Sequence, residues 1–145
     1  MKTGQLNTTF GILVIALSFV MMIGVFVSAN VMKSTATKTI DNLFADTVTN
    51  KVLLTLVEMK VVINTTAVFN FTRTVSIPPN IGDKTYVIIG KGQSLEIRTL
   101  DKQFITKQTN ISVLLPHLNL TGATGSSGGK LSLSYFRGIN EIRIS

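Results

Sequence analysis

The residues able to do chemistry are few and scattered. His117 is the only histidine, and cysteine is absent. A metal centre or a nucleophilic triad needs such groups in company, at ligand or hydrogen-bond distance. His117 sits beside Pro116, in a stretch read as a loop, with no cysteine or second histidine to join it. The acids Glu58, Asp83, Glu96, Asp101 and Glu141 stand singly, and no two are spaced like an acid/base motif. Gly128-Gly129-Lys130 is similar to the end of a phosphate-binding loop. It fails that pattern twice, because the leading glycine would be Thr124 and the residue after the lysine is Leu131. These residues predict a chain that is not an enzyme and that uses no cofactor and no metal.

One motif recurs. Asn-x-Ser/Thr occurs at Asn7, Asn64, Asn70, Asn110 and Asn119. It is the acceptor for N-linked sugar, a modification of external protein surface. Asn7, followed by Thr8 and Thr9, reads as a helix cap. The other four, Asn64, Asn70, Asn110 and Asn119, fall near expected strand ends and turns and are candidate glycosylation sites on a domain outside the cell.

The elements that must position these residues are of two kinds. Phe10 to Met32 is uncharged over its whole length and apolar but for Ser18, Ser28 and Asn30. At ~1.5 Å per residue it reaches about 34 Å, enough to cross a bilayer core of roughly 30 Å. It is longer than the apolar part of a secretory signal and has no clean cleavage pattern behind it, Val27-Ser28-Ala29 being the nearest. Gly24 and Ser28 are four apart, a spacing that lets helices approach closely. Ile40, Leu43, Phe44 and Val48 then recur at helical spacing, which predicts an amphipathic continuation to about Lys51, loosened at Ser34-Thr35-Ala36-Thr37.

After Lys51 the texture turns β-branched and aliphatic. Strands are expected over Val52–Ile63, Ala67–Ser76, Thr85–Ile89, Leu95–Thr99, Phe104–Thr106, Asn110–Leu114, Lys130–Phe136 and Glu141–Ile144. Turn signals at Pro78-Pro79-Asn80, Gly90-Lys91-Gly92, Asp101-Lys102 and Arg137-Gly138 separate them, and Gly122–Gly129 reads as a flexible loop. The expected organisation is a leader-like segment 1–9, a hydrophobic then amphipathic helix 10–50, and a head 51–145. The fold class is α+β, with an immunoglobulin-like antiparallel β-sandwich as the head. From Lys51 onward eleven Lys/Arg face five Asp/Glu, a net +6, but the basic residues are scattered and not interleaved with exposed aromatics. That argues against a nucleic-acid partner.

Taken together, the chain resembles an archaeal type IV pilin. Three features carry the likeness: Lys2-Thr3-Gly4-Gln5 as a leader-processing site, a hydrophobic helix following almost at once, and Ile77-Pro78-Pro79-Asn80-Ile81-Gly82-Asp83-Lys84-Thr85-Tyr86-Val87-Ile88, similar to a stretch recurrent in archaeal pilin heads. The resemblance implies cleavage between Gly4 and Gln5, a precursor held in the membrane, and a homopolymeric helical filament on the cell surface that serves adhesion. It implies a filament core built from Phe10, Ile12, Leu13, Ile15, Leu17, Phe19, Val20, Met22, Ile23 and Phe26. The archaellum filament subunit is the neighbouring alternative. A single-pass, membrane-anchored extracellular binding module is the alternative of another class.

Overall fold

Val52 to Ile63, expected as a strand, is helix. In the computed structural model, which describes residues 3–65, 70–82, 84–100 and 105–145 (the side chains of 3–9 and 105–106 excepted), helix α1 spans Thr3–Thr65. The reason is visible in what is buried. Ala45, Val48, Val52, Leu56 and Met59 are essentially inaccessible, and Ile63 packs against them. Their spacing of three and four is the helical period, not the alternation of a strand. Leu54, Val57 and Val61 on the outer side are apolar too and exposed, so the sequence reads as uniformly aliphatic and hides its period. Ser34 to Thr37, expected as a loosened turn, is helical. Thr37 and Thr39 donate their hydroxyls to the carbonyls of Lys33 and Thr35, satisfying them within the helix.

Two compact units divide the chain, Met1–Thr39 and Ile40–Ser145. The first is helix throughout its described residues. The second joins the C-terminal part of α1 to seven strands: β1 (Asn70–Ser76), β2 (Tyr86–Lys91), β3 (Ser94–Thr99), β4 (Ile105–Asn110), β5 (Asn119–Gly125), β6 (Lys130–Phe136) and β7 (Glu141–Ile144). The α+β class stands, a long apolar helix followed by a β head. The strands run in the order β1-β6-β7-β5-β2-β3-β4. All pairs are antiparallel except β5 with β7, so the head is a mostly antiparallel seven-stranded sheet. One buried face carries Leu131, Leu133 and Tyr135 from β6, Tyr86 and Ile88 from β2, and Ile142 and Ile144 from β7. These cluster with the helix stripe Ala45–Met59 in a single core.

Another departure lies at residues 122–125, the first half of the expected loop Gly122–Gly129. Glycines at 122 and 125 and the Thr-Gly-Ser run predict a flexible loop, yet β5 occupies this place, followed by a short 3-10 turn, Ser126–Gly128. β5 serves two neighbours. Asn119 to Gly122 pair with β7, and Ala123 to Gly125 pair with β2. The switch falls at Gly122, whose φ of 90° is open to glycine and strained for other residues. The stretch Asn110–Leu114, expected as a strand, is the end of β4 followed by a turn in which Leu114 and Leu115 both donate to the carbonyl of Ile111. Phe104 and Ala67–Phe69, included in the expected strands, lie outside the described residues, as do Asp83 and Asp101.

The proline-pair stretch is tied down by polar groups. Tyr86, fully buried, donates its hydroxyl to the carbonyl of Pro78 at 2.6 Å. Ser126 Oγ donates to the carbonyl of Pro79 at 2.6 Å and accepts from the Tyr86 backbone N–H at 3.0 Å. Lys84 reaches Asp41 on α1 at 3.2 Å. Burial pushes the Tyr86 phenol up to about 12, because ionised phenolate would have to leave water. A free tyrosine ionises near 10. The unfolded chain therefore gains from ionisation before the head does. Stability from this group is complete below about pH 10 and is lost as pH rises through about 12, to a total of about 2–3 kcal/mol. Thermal unfolding of the head between pH 8 and 12, followed by circular dichroism, is expected to lose this increment in wild type. Tyr86→Phe starts lower for want of the Pro78 bond and falls less steeply across the window.

Candidate functional site

The candidate acids and His117 are not gathered into one cluster among the described residues. No group of three or more His, Asp or Glu side chains is gathered there at metal-binding distance. Glu96, buried on β3, is bound by Arg98 at 2.7 Å. Glu141 on β7 takes Arg143 and the hydroxyl of Thr121. Glu58 is exposed on α1, and His117 is exposed in the loop between β4 and β5. The phosphate-loop likeness ends in structure as well. Ser126 is engaged with Pro79 and Tyr86, and Lys130 opens β6.

The dominant surface feature is apolar. From Phe10 to Met32 nearly every large side chain is exposed, including Leu17 at 59% and Ile23 at 52%. Phe10, Ile12, Leu13, Ile15, Phe19, Val20, Met22 and Phe26 are in the same condition. This is one helix long and apolar enough to cross a membrane, near the N-terminus, where an anchor and a signal pass the same test. The backbone of Gly4 and Gln5 is helical, and their side chains lie outside the described residues.

Within the second unit the helix carries a second, uncovered apolar stripe. Ile40, Leu43 and Phe44 were expected with Val48 on one inward face. Only Val48 of the four is buried, and the core is met instead by Ala45, Thr49 and Val52. Ile40, Leu43, Phe44, Leu54, Val57 and Val61 remain exposed on the other side. Composition revealed apolar helix but not which side the sheet would take, since both sides qualified.

The four candidate glycosylation sites are all exposed. Asn64 lies in the last turn of α1. Asn110 ends β4, and its Oδ1 accepts the Ser112 backbone N–H at 2.8 Å. Asn70 and Asn119 are related by register. Asn70 pairs with Phe136, Phe136 with Glu141, and Glu141 with Asn119, so one row crosses four strands and carries an acceptor at each end. Two residues along, Thr72, Ser134, Arg143 and Thr121 form the parallel row, which contains the threonine of each sequon. Side chains two apart on a strand share a face. Both acceptors therefore stand on one face, separated by three strand spacings, about 14 Å. The motifs are legible in the sequence, but this row requires the pairing of β5 with β7, and no strand is expected from the sequence at Asn119–Gly122. No family model, curated protein or solved structure matches the chain.

Proposed function

We propose that the chain is the structural subunit of an extracellular filament of the archaeal type IV pilus kind, polymerising through α1 and serving surface adhesion. The observation that carries the reading is the uncovered helix. An apolar stretch exposed on all sides cannot remain in water, and it is joined to a folded, weakly charged β head. Burying one large apolar side chain is worth about 1.5–3 kcal/mol, so sequestering this stretch amounts to tens of kcal/mol gross. A bilayer offers that burial to a precursor, and neighbouring copies offer it to a polymer. The outer stripe from Ile40 to Val61 favours the polymer over a simple anchor. It is a further exposed apolar surface, on the helix of the second unit and separated in sequence from Phe10–Met32 by the polar stretch Lys33–Thr39, so a bilayer spanned by Phe10–Met32 alone does not account for it. Negative-stain microscopy of material sheared from cells expressing the chain tests the proposal. Filaments containing this polypeptide are the expected result; a chain that stays with the membrane and forms no polymer returns the reading to an anchored binding module.

The head in this reading faces outward and carries N-linked sugar. The exposure of all four acceptors supports it, and the paired row of Asn70 and Asn119 would place two sugars on one sheet face. Intact-mass measurement of the surface material is expected to give a subunit heavier than the polypeptide by whole glycan units. Replacing both Asn70 and Asn119 by Gln is expected to remove part of the excess. A mass equal to the bare chain, with or without the first four residues, removes the claim.

A further inference from the structure

Beside the C-terminal turn of α1 the head holds a half-open cavity of about 270 Å³. It lies near the lower end of the range in which ligand pockets occur, roughly 300 Å³ and upward. Its walls are of two kinds. Ile63, Leu115 and Leu118 supply an apolar floor. Lys60, Asn64, His117 and Asn140 supply the polar rim. Tyr135 also lines it, 3% exposed, and its hydroxyl has no partner among the described residues.

Each wall restricts the occupant. Among the described residues no aspartate or glutamate lines the cavity, and its standing positive charge is that of Lys60, with the His117 imidazole beside it, so an anionic ligand finds a counter-charge there and a cationic one finds none. Lys60 is held in place, donating from Nζ to the carbonyl of Leu114 at 2.6 Å. An ammonium has three donors, which leaves two for a guest. The apolar floor excludes a bare inorganic anion as the best fit, because it would be left against groups that cannot hydrogen-bond. The amides of Asn64 and Asn140 each both donate and accept, as hydroxyl groups require. A simple fatty carboxylate would leave them without partners.

We propose that this pocket binds a uronic-acid residue, a hydroxylated six-membered ring with one carboxylate. Its carboxylate lies at Lys60, its hydroxyls at the Asn64 and Asn140 amides, and its C–H face on Leu115 and Leu118. The site belongs to the head alone. It stands or falls separately from the filament reading, since binding can be measured whether or not the chain polymerises. Asn64 is also a sugar acceptor, so a glycan attached there would occupy the mouth and close the pocket.

The test uses the full chain, made without glycosylation and kept in a non-ionic detergent, with ligand-observed and protein-observed NMR. Glucuronate is the probe, glucose and hexanoate the comparisons. Saturable glucuronate binding at least about tenfold tighter than either is expected, the difference from glucose reflecting the charge-assisted hydrogen bond. Lys60→Gln is expected to bring glucuronate down to the level of glucose. Should that variant lose the fold through its Leu114 bond, Asn140→Gly decides. Asn140 has φ 49°, which glycine adopts without strain, so the head should fold and bind glucuronate several-fold more weakly. Glucuronate binding no better than glucose, or unchanged in folded Lys60→Gln or Asn140→Gly protein, overturns the proposal. Hexanoate binding as tightly as glucuronate overturns the assignment to a hydroxylated ring.

Discussion

Cells expressing the Leu17→Asp or Ile23→Asp chain are expected to produce no filaments, in contrast to the filaments proposed for the wild-type chain. This is the first of the two largest expected effects. Both positions lie on the exposed apolar helix, 59% and 52% open in the single chain, and under the proposed assembly both would be enclosed as helices pack. A carboxylate enclosed among apolar side chains without a partner costs several kcal/mol, and the same change recurs in every subunit of a polymer. The cost to a membrane-held precursor is smaller, about 2.5–3.5 kcal/mol for Asp at the centre of a single spanning helix. The two variants therefore separate polymer from anchor. Filament yield counted by microscopy should fall to background, with the chain still recovered in the membrane fraction. Thermal unfolding of the head should be unchanged, because residues 17 and 23 belong to the other compact unit. Normal filaments from either variant would remove these residues from the core.

The second is Gly122→Ala, expected to leave the head unfolded or destabilised by more than about 3 kcal/mol. A Cβ at this position would stand 2.3 Å from the backbone carbonyl oxygen of Ile144. Backbone on a paired strand cannot step aside as a flexible side chain can. The φ of 90° adds strain independent of space. Gly92→Ala is the control. It too has a positive φ, 62°, but nothing lies within 4 Å of its Cβ. Its cost should be confined to the left-handed conformation, about 1–2 kcal/mol. Chemical denaturation of both variants beside wild type measures the difference. Comparable stability of the two would mean that the β5–β7 approach is looser than its geometry.

How much was legible follows from which signals were local. β6 and β7 were read to their ends, because Leu131, Leu133 and Tyr135 alternate with Ser132 and Ser134, and Arg137-Gly138 punctuates the chain between them. The apolar helix was legible for the same reason, an unbroken run needing no partner to define it. Val52–Ile63 was misread because apolar residues occur on both sides of that part of the helix, and only the sheet decides which side is core. β5 escapes sequence reading because Gly122 meets a demand, the switch between β7 and β2, that exists only in the assembled sheet. The candidate sites divide in the same way. Sequons are local and were found. The Asn70–Asn119 row and the pocket between Lys60 and Asn140 are products of long-range pairing, so no window of sequence contains them.

The position of β7 has a consequence for the order of events in synthesis. Glu141–Ile144 lies inside the sheet, between β6 and β5, and joins them. The head's two halves stay unjoined until these residues have been translated and released. The apolar helix, by contrast, leaves the ribosome first. For most of its synthesis the chain is therefore an exposed greasy segment trailing an unfinished sheet with open edges, a combination prone to aggregation. Timing alone requires a dry harbour for the helix before the head exists. Under the proposed assembly, shelter from other copies would come only after folding, and polymerisation would be a transfer from one apolar environment to another rather than a capture from water.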